Sequence, residues 1–194
     1  MLSNADAAVR ASGAAALYSA AGALLQSPAT AWMKDGEFRT LVCAPPHASE
    51  DISGTSPLKY VAGIAVEPAM FERIRTANGS PRLANVPPDQ DAKEFELQIA
   101  GCDFDILTTQ EPGGPGAIAR FLQKFGEGIQ QIEIYVRDVG RSAQILRERF
   151  ALPPIYPQTR AGADGTRVNF FLVPIKDGEK VLVELVESPA CAHS

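Results

Sequence analysis

Two stretches of this chain alternate residue by residue, and each places an acid on the face opposite a run of three aliphatic side chains. In GEGIQQIEIYV (Gly126–Val136), Ile132, Ile134 and Val136 share one face, while Gln131, Glu133 and Tyr135 share the other. In VLVELVE (Val181–Glu187), Val181, Val183 and Leu185 line one face and Glu184 sits between Leu182 and Val186 on the other. Period-two alternation is the signature of a strand with one face on a core. A carboxylate inside such a strand is costly unless it is paired, hydrogen-bonded or bound to a cation. The pattern therefore predicts a sheet with one apolar face and one polar, cavity-lining face.

The order of elements around these strands repeats. Tyr60–Val66 reads as a short apolar strand. Pro68 opens a helix over Ala69–Ala77, stopped by Asn78-Gly79. Strands follow at Arg82–Val86, Glu94–Ile99 and Asp103–Thr109, the second with Phe95, Leu97 and Ile99 on one face and Glu94, Glu96 and Gln98 on the other. After a glycine-rich turn and short helix over Gly113–Phe125, the same order recurs. A strand at Gln130–Val136 leads to a helix at Arg141–Phe150 and strands at Ile155–Pro157, Arg167–Val173 and Lys180–Val186, the last two joined through Lys176-Asp177-Gly178. Both halves read β-α-β-β-β, as an internal duplication would.

The expected fold class is α+β, two βαβββ modules forming a cupped, mostly antiparallel sheet, with an N-terminal helix-hairpin extension. Alanine-rich Ala7–Leu25 predicts a helix ending near Pro28, capped by Asn4 or Asp6. Thr30–Met33 and Glu37–Cys43 read as strands about a Lys34-Asp35-Gly36 turn. Ala44–Pro57 is polar, rich in Pro, Gly and Ser, and reads as a linker. The domain reading is an extension over residues 1–56 and a unit over 57–189, with modules at about 57–111 and 126–188.

With 194 residues and 45% hydrophobic content, the chain suffices for one compact domain. Its net charge of −5 argues against nucleic acid or an anionic membrane as partner. The apolar runs fall short of the roughly 20 residues that span a bilayer, and Asp6, Arg10, Gly13 and Gly22 interrupt the layout of a signal sequence. Cys43, Cys102 and Cys191 lie far apart without a CxxC spacing, so a cytoplasmic, reducing setting is expected.

KYVAGIAV (Lys59–Val66), FELQIAGCDFDIL (Phe95–Leu107), AIARFLQKFGEGIQQIEIYV (Ala117–Val136) and VLVELVE (Val181–Glu187) together resemble the vicinal-oxygen-chelate (glyoxalase/bleomycin-resistance/dioxygenase) superfamily. The nearest branch is the methylmalonyl-CoA epimerases, over roughly Leu58–Glu187. The resemblance implies a metal held at positions 61, 105, 131 and 184, the first and third usually histidine. Here those positions are Val61, Asp105, Gln131 and Glu184, and both histidines of the chain, His47 and His193, fall elsewhere. Three oxygen donors (Asp105, Gln131, Glu184) would suit Mg, Mn or Ca better than zinc. The resemblance further implies an acid in the loop before the third strand of the first module. In PPDQDAKEF (Pro87–Phe95) this is Asp89, beside Asp91 and Glu94.

Three functional readings follow. The first is a lyase or isomerase acting by proton transfer on a carbonyl or acyl-thioester substrate, with or without a metal, with Asp89, Glu133 and Glu184 as catalytic candidates and Tyr135, Arg160 and Arg167 as substrate contacts. The second is a metal-free module that binds a small ligand in the same cup. The third is a non-catalytic interaction domain docking through the N-terminal segment. A small molecule is the expected partner, and a homodimer is an expected assembly. Each residue also has a bland reading: Glu184 as a salt-bridged edge residue, Gln131 as a core amide, Asp89 as part of a solvated acidic loop. Gly113–Gly116 lacks the P-loop and dinucleotide spacings and reads as a turn. Cys102 has no histidine partner, which argues against a thiolate nucleophile.

Overall fold

The computed structural model describes residues 1–45 and 58–189. The expected linker therefore lies, but for Ala44 and Pro45, outside the described residues, as do His47 and His193.

Strand β1 (Val61–Ala65) is followed by helix α3 (Pro68–Ala77), strands β2 (Ala92–Ile99) and β3 (Cys102–Thr109), and helix α4 (Ala117–Phe125). Strand β4 (Gly128–Tyr135), helix α5 (Val139–Phe150) and strands β5 (Arg160–Ala161), β6 (Arg167–Pro174) and β7 (Lys180–Glu187) complete one seven-stranded sheet, ordered β2-β3-β1-β4-β7-β6-β5. Within each half, the first strand lies parallel to the last: β1 beside β3, and β4 beside β7. The halves meet where β1 and β4 run antiparallel, with Val61 opposite Glu133 and Gly63 opposite Gln131. The duplication read from the sequence is thus a repeated connection, and all remaining pairings are antiparallel.

The alternation places side chains as expected. Ala62, Ile64, Phe104, Ile106, Ile132, Ile134, Val183 and Leu185 are buried on one face in a single cluster with side chains of the helices. Phe71 and Ile74 of α3 join it, Phe71 edge-on to Phe95 at 4.8 Å. From α5, which Asp138 caps by accepting the Arg141 N–H, come Ile145 and Leu146. Helix α4 lies on the opposite face, where Ile118 and Leu122 pack with Ala65, Ala92 and Leu107. That face becomes a cup walled on one side by α4.

Three local expectations are corrected. Helix α1 (Ala7–Trp32) starts where Asp6 accepts the Ala8 N–H, but it runs through Pro28. Proline removes one helical hydrogen bond, yet Leu25, Ala29 and Trp32 on either side are fully buried and hold the helix through it. The expected N-terminal hairpin is instead helix α2 (Gly36–Leu41), because Asp35 acts as a helix cap, its Oδ1 accepting from the Glu37 and Phe38 N–H groups. Residues 82–86 and 155–157 form no strands. The former is tied to β2 by the Ala84 N–H donating to the Glu94 carbonyl at 2.9 Å. The first module therefore contributes three strands and the second four.

By length and composition α1 is apolar enough to cross a membrane. In this fold one side of it packs on the sheet. Tyr18 and Tyr60 stack at 4.3 Å, and each hydroxyl donates to the other residue's carbonyl, at 2.8 and 2.7 Å. The tyrosine ring leaves room only for glycine at position 22, where a Cβ would approach the Tyr60 hydroxyl oxygen at 2.5 Å.

Candidate active site

The polar faces of β3, β4 and β7 converge where the two modules join. The cup there has a volume of about 520 Å³. Gln131 occupies its centre: it lies opposite Gly63, and any Cβ at Gly63 would collide with the Gln131 side chain. The Gln131 amide donates to Glu184 Oε2 at 2.6 Å and to Glu133 Oε1 at 3.1 Å. Glu133 and Glu184 are themselves register neighbours on β4 and β7. Asp105, opposite Gly63 on β3, brings its carboxyl beside that of Glu133. Its Oδ1 is buried in the cup wall without a hydrogen-bond partner.

Carboxyl groups buried side by side repel when ionised, which favours keeping their protons. The electrostatics agree. Burial, with the charges of Glu94, Glu133 and Glu184 behind it, holds the Asp105 carboxyl well above the usual carboxylate range. Burial likewise raises Glu184 well above its ordinary value, the Glu133 charge adding to it. Glu133 is pushed up to about 7 by burial, with the Gln131 hydrogen bond and the contact with Asp105 pulling the other way. Half-buried Glu94, on the cup face of β2, is raised to about 8, chiefly by burial and then by Glu133. No ion pair reaches any of these four among the described residues.

The mouth is built differently. Asp89 sits in the turn Pro88–Gln90 and is exposed, its Oδ2 accepting from Arg160 at 2.6 Å. Arg160 also lies over the Tyr156 ring, 4.6 Å from its centroid. The segment from Arg160 to Thr166 straps the second module to the first. Asp164 pairs with Arg82 at 2.7 Å and exchanges backbone-side hydrogen bonds with Asn85, while Gln90 donates to the Ala161 carbonyl at 2.8 Å.

Of the residues expected from sequence, Asp105, Gln131, Glu133, Tyr135 and Glu184 come together in the cup. Asp89 and Arg160 meet at its mouth. Arg167 does not line it: its guanidinium pairs with Glu187 at 3.0 Å. No sequence motif marks Arg120, Tyr156 or Phe170, all of which line the cup. Glu94 was legible as the acid in β2 opposite Phe95.

The donor set does not fit a divalent metal. Val61 packs its aliphatic side chain with Tyr135, Val168 and Val186. Gln131 turns its N–H groups, not its carbonyl oxygen, toward the two glutamates. Among the described residues no group of three His, Cys, Asp or Glu side chains is arranged to hold an ion.

No protein-family model and no curated protein matches the sequence. Solved structures do. The methylmalonyl-CoA epimerase from Mycobacterium tuberculosis is 31% identical with a TM-score of 0.54, over 69% of this chain and 89% of that one. A variant of the Streptomyces coelicolor methylmalonyl-CoA epimerase, in complex with 2-nitronate-propionyl-CoA, is 27% identical with a TM-score of 0.52, over 66% and 94%. A methylmalonyl-CoA epimerase in complex with methylmalonyl-CoA and NH4+ is 28% identical with a TM-score of 0.53, over 67% and 93%.

Proposed function

We propose that this chain, which belongs to the vicinal-oxygen-chelate superfamily, is an isomerase that moves a proton alpha to a carbonyl or acyl-thioester group without a metal. The single observation that carries the proposal is the buried carboxyl cluster around the Gln131 amide, facing a cavity large enough for a small acyl group. The resemblance to solved methylmalonyl-CoA epimerases supports the class of reaction.

Removing such a proton requires a base matched to the working pH and a site for the negative charge that develops on the carbonyl oxygen. Glu133, with its carboxyl near 7, is the base. Asp105 and Glu184, whose carboxyls burial holds well above the usual carboxylate range, favour the neutral form and donate hydrogen bonds to the oxygen, since a neutral carboxylic acid in an apolar site serves as an oxyanion donor. Gln131 fixes the two glutamates relative to one another. Glu94 reaches the cup from β2, on the far side of β3 and β1 from Glu133. Raised to about 8, it returns a proton to the opposite face of the planar intermediate. Asp89 acts by orienting Arg160 at the mouth, where Arg120 also lies, and the pair of guanidiniums meets the anionic part of a thioester carrier.

The test is solvent deuterium exchange at the alpha carbon of short acyl-CoA thioesters, followed by proton NMR. Wild-type protein exchanges the label. Glu133→Gln slows exchange by on the order of 10²-fold or more, the usual contribution of a positioned proton carrier, and Glu184→Gln lowers it with little change in apparent substrate affinity. Exchange at the wild-type rate in an Asp105→Ala/Glu184→Ala double variant overturns the proposal. A ligand-binding module on the same fold, favoured by Val61 at a position the resemblance makes a ligand, is distinguished by saturable thioester binding with no exchange at all.

A further inference from the structure

Strand β4 carries one residue more than its pairing with β1 uses. Gly63 lies opposite Gln131, but the next residue of β1, Ile64, lies opposite Ile129, so Gln130 has no register partner there. On its other side β4 pairs with β7 from Gln131 onward. An extra residue of this kind is a β-bulge, a device that re-aims side chains and gathers near active sites. Here it interrupts the alternation of the strand. Ile129 and Ile132 both pack on the core, and Gln130 and Gln131 both line the cup. Strict alternation would have turned the Gln130 carboxamide into the apolar face.

The two neighbouring glutamines are used differently. The Gln131 amide is committed to Glu133 and Glu184. Gln130 has no such role: its Oε1 is buried in the wall without a hydrogen-bond partner. Buried polar atoms are paired with few exceptions, and an exception beside a cavity calls for a reason. With the oxygen turned into the wall, the amide nitrogen is the end left to the cavity. It carries two N–H donors, and it bears no charge for a ligand to offset. Gln130 also stands one residue before the amide that joins the two glutamates, so a carbonyl seated on the carboxyl cluster comes beside it.

We infer that Gln130 is a further substrate-binding residue, its amide N–H donating to the carbonyl oxygen of the acyl group. The identity of that oxygen rests on the isomerase reading above. Negative charge develops there as the alpha proton leaves, and a donor already aimed at it stabilises the charged form more than the ground state. The amide has no protein bond to break when the substrate arrives. The bulge is then the feature of β4 that lets one glutamine organise the carboxyl groups while its neighbour meets the ligand.

The test follows the side-chain amide resonances of the full chain by NMR as propionyl-CoA is added, with the Gln130 pair identified by its loss in Gln130→Met. Deuterium exchange at the alpha carbon is measured beside it. The Gln130 pair shifts to saturation. Gln130→Met, close in length but without donors, lowers exchange at saturating thioester by at least about tenfold, with KM changed by less than about threefold. Its thermal midpoint stays at or above that of the wild type, because the unpartnered buried oxygen is gone. A Gln130 pair that does not move with propionyl-CoA overturns the inference. So does wild-type exchange in Gln130→Met, or a loss of exchange that only tracks a lowered midpoint, which is the mark of a structural role. A pair that shifts to saturation in a protein that exchanges no label upholds the contact and sinks the isomerase reading instead.

Discussion

At the scale of single residues, one amide decides the character of the site. Gln131 has the length to lie across Gly63 and donate to two glutamates at once, so it links carboxyl groups that would otherwise repel. This has a consequence for stability. Glu133 and Glu94 titrate near 7 and 8 in the folded protein and near 4.3 when unfolded. Between those values the folded state holds protons that the unfolded state has released, so stability falls as pH rises. The loss begins above about pH 4.5 and is complete above about 8. Asp35, Glu37, Glu148 and Asp164, lowered mainly by arginine and Gln144 contacts, act in the other direction, and their contribution is lost only as pH falls through the acid range. Thermal unfolding across pH 5–8 is therefore expected to show a declining midpoint, and Glu133→Gln to flatten the decline. A midpoint that rises over this range would refute the protonated cluster. The positions of Asp105, Gln131, Glu133 and Glu184 were legible from strand alternation together with the resemblance. That the Asp105 and Glu133 carboxyls lie side by side was not, because it depends on the register of three strands from both modules.

At the scale of elements, the strands and the helices over 68–77 and 139–150 follow from periodicity and from Pro68 at a helix start. The N-terminal segment was misread for an identifiable reason. Asp-Gly is both a hairpin turn and a helix cap followed by its first residue, and the bond from Asp35 Oδ1 to the Phe38 N–H decides between them. Asp35 also accepts from Arg149, and Glu37 pairs with Arg141 and Arg149, fastening α2 to α5. Asp35→Ala is expected to destabilise by about 1–2 kcal/mol through loss of the cap, with the exposed ion pair adding little, and to leave the cup unchanged; urea unfolding and deuterium exchange check both halves. Helix α1 is held by a buried reciprocal pair. Tyr18→Phe leaves the Tyr60 carbonyl without its donor, and Tyr60→Phe does the same to Tyr18. Each is expected to lower stability by about 1–3 kcal/mol. The double variant should lose less than the sum, because the two contacts share one stacked pair; strict additivity would mean that they act independently.

At the scale of the whole molecule, a repeated module supplies a symmetric frame and the site is made at its seam. β1 and β4 bring Gly63 against Gln131, and the strand that ends each module adds Asp105 on one side and Glu184 on the other. The strap from Arg160 to Thr166 closes one module over the other, and α1 and α2 cover the core face. Neither module alone contains the cluster. The duplication was visible in the order of elements, whereas the strap was not, since Asp164–Arg82 and Asp89–Arg160 join residues more than seventy positions apart. The central claim is that this seam transfers protons through its own carboxyl groups. Its most direct test is deuterium exchange into an acyl-thioester alpha carbon by protein stripped with a chelator, compared with the same protein resupplied with Mg2+, Mn2+, Co2+ or Zn2+. The account predicts the same exchange rate in every sample; exchange that vanishes on chelation and returns with a metal would contradict it.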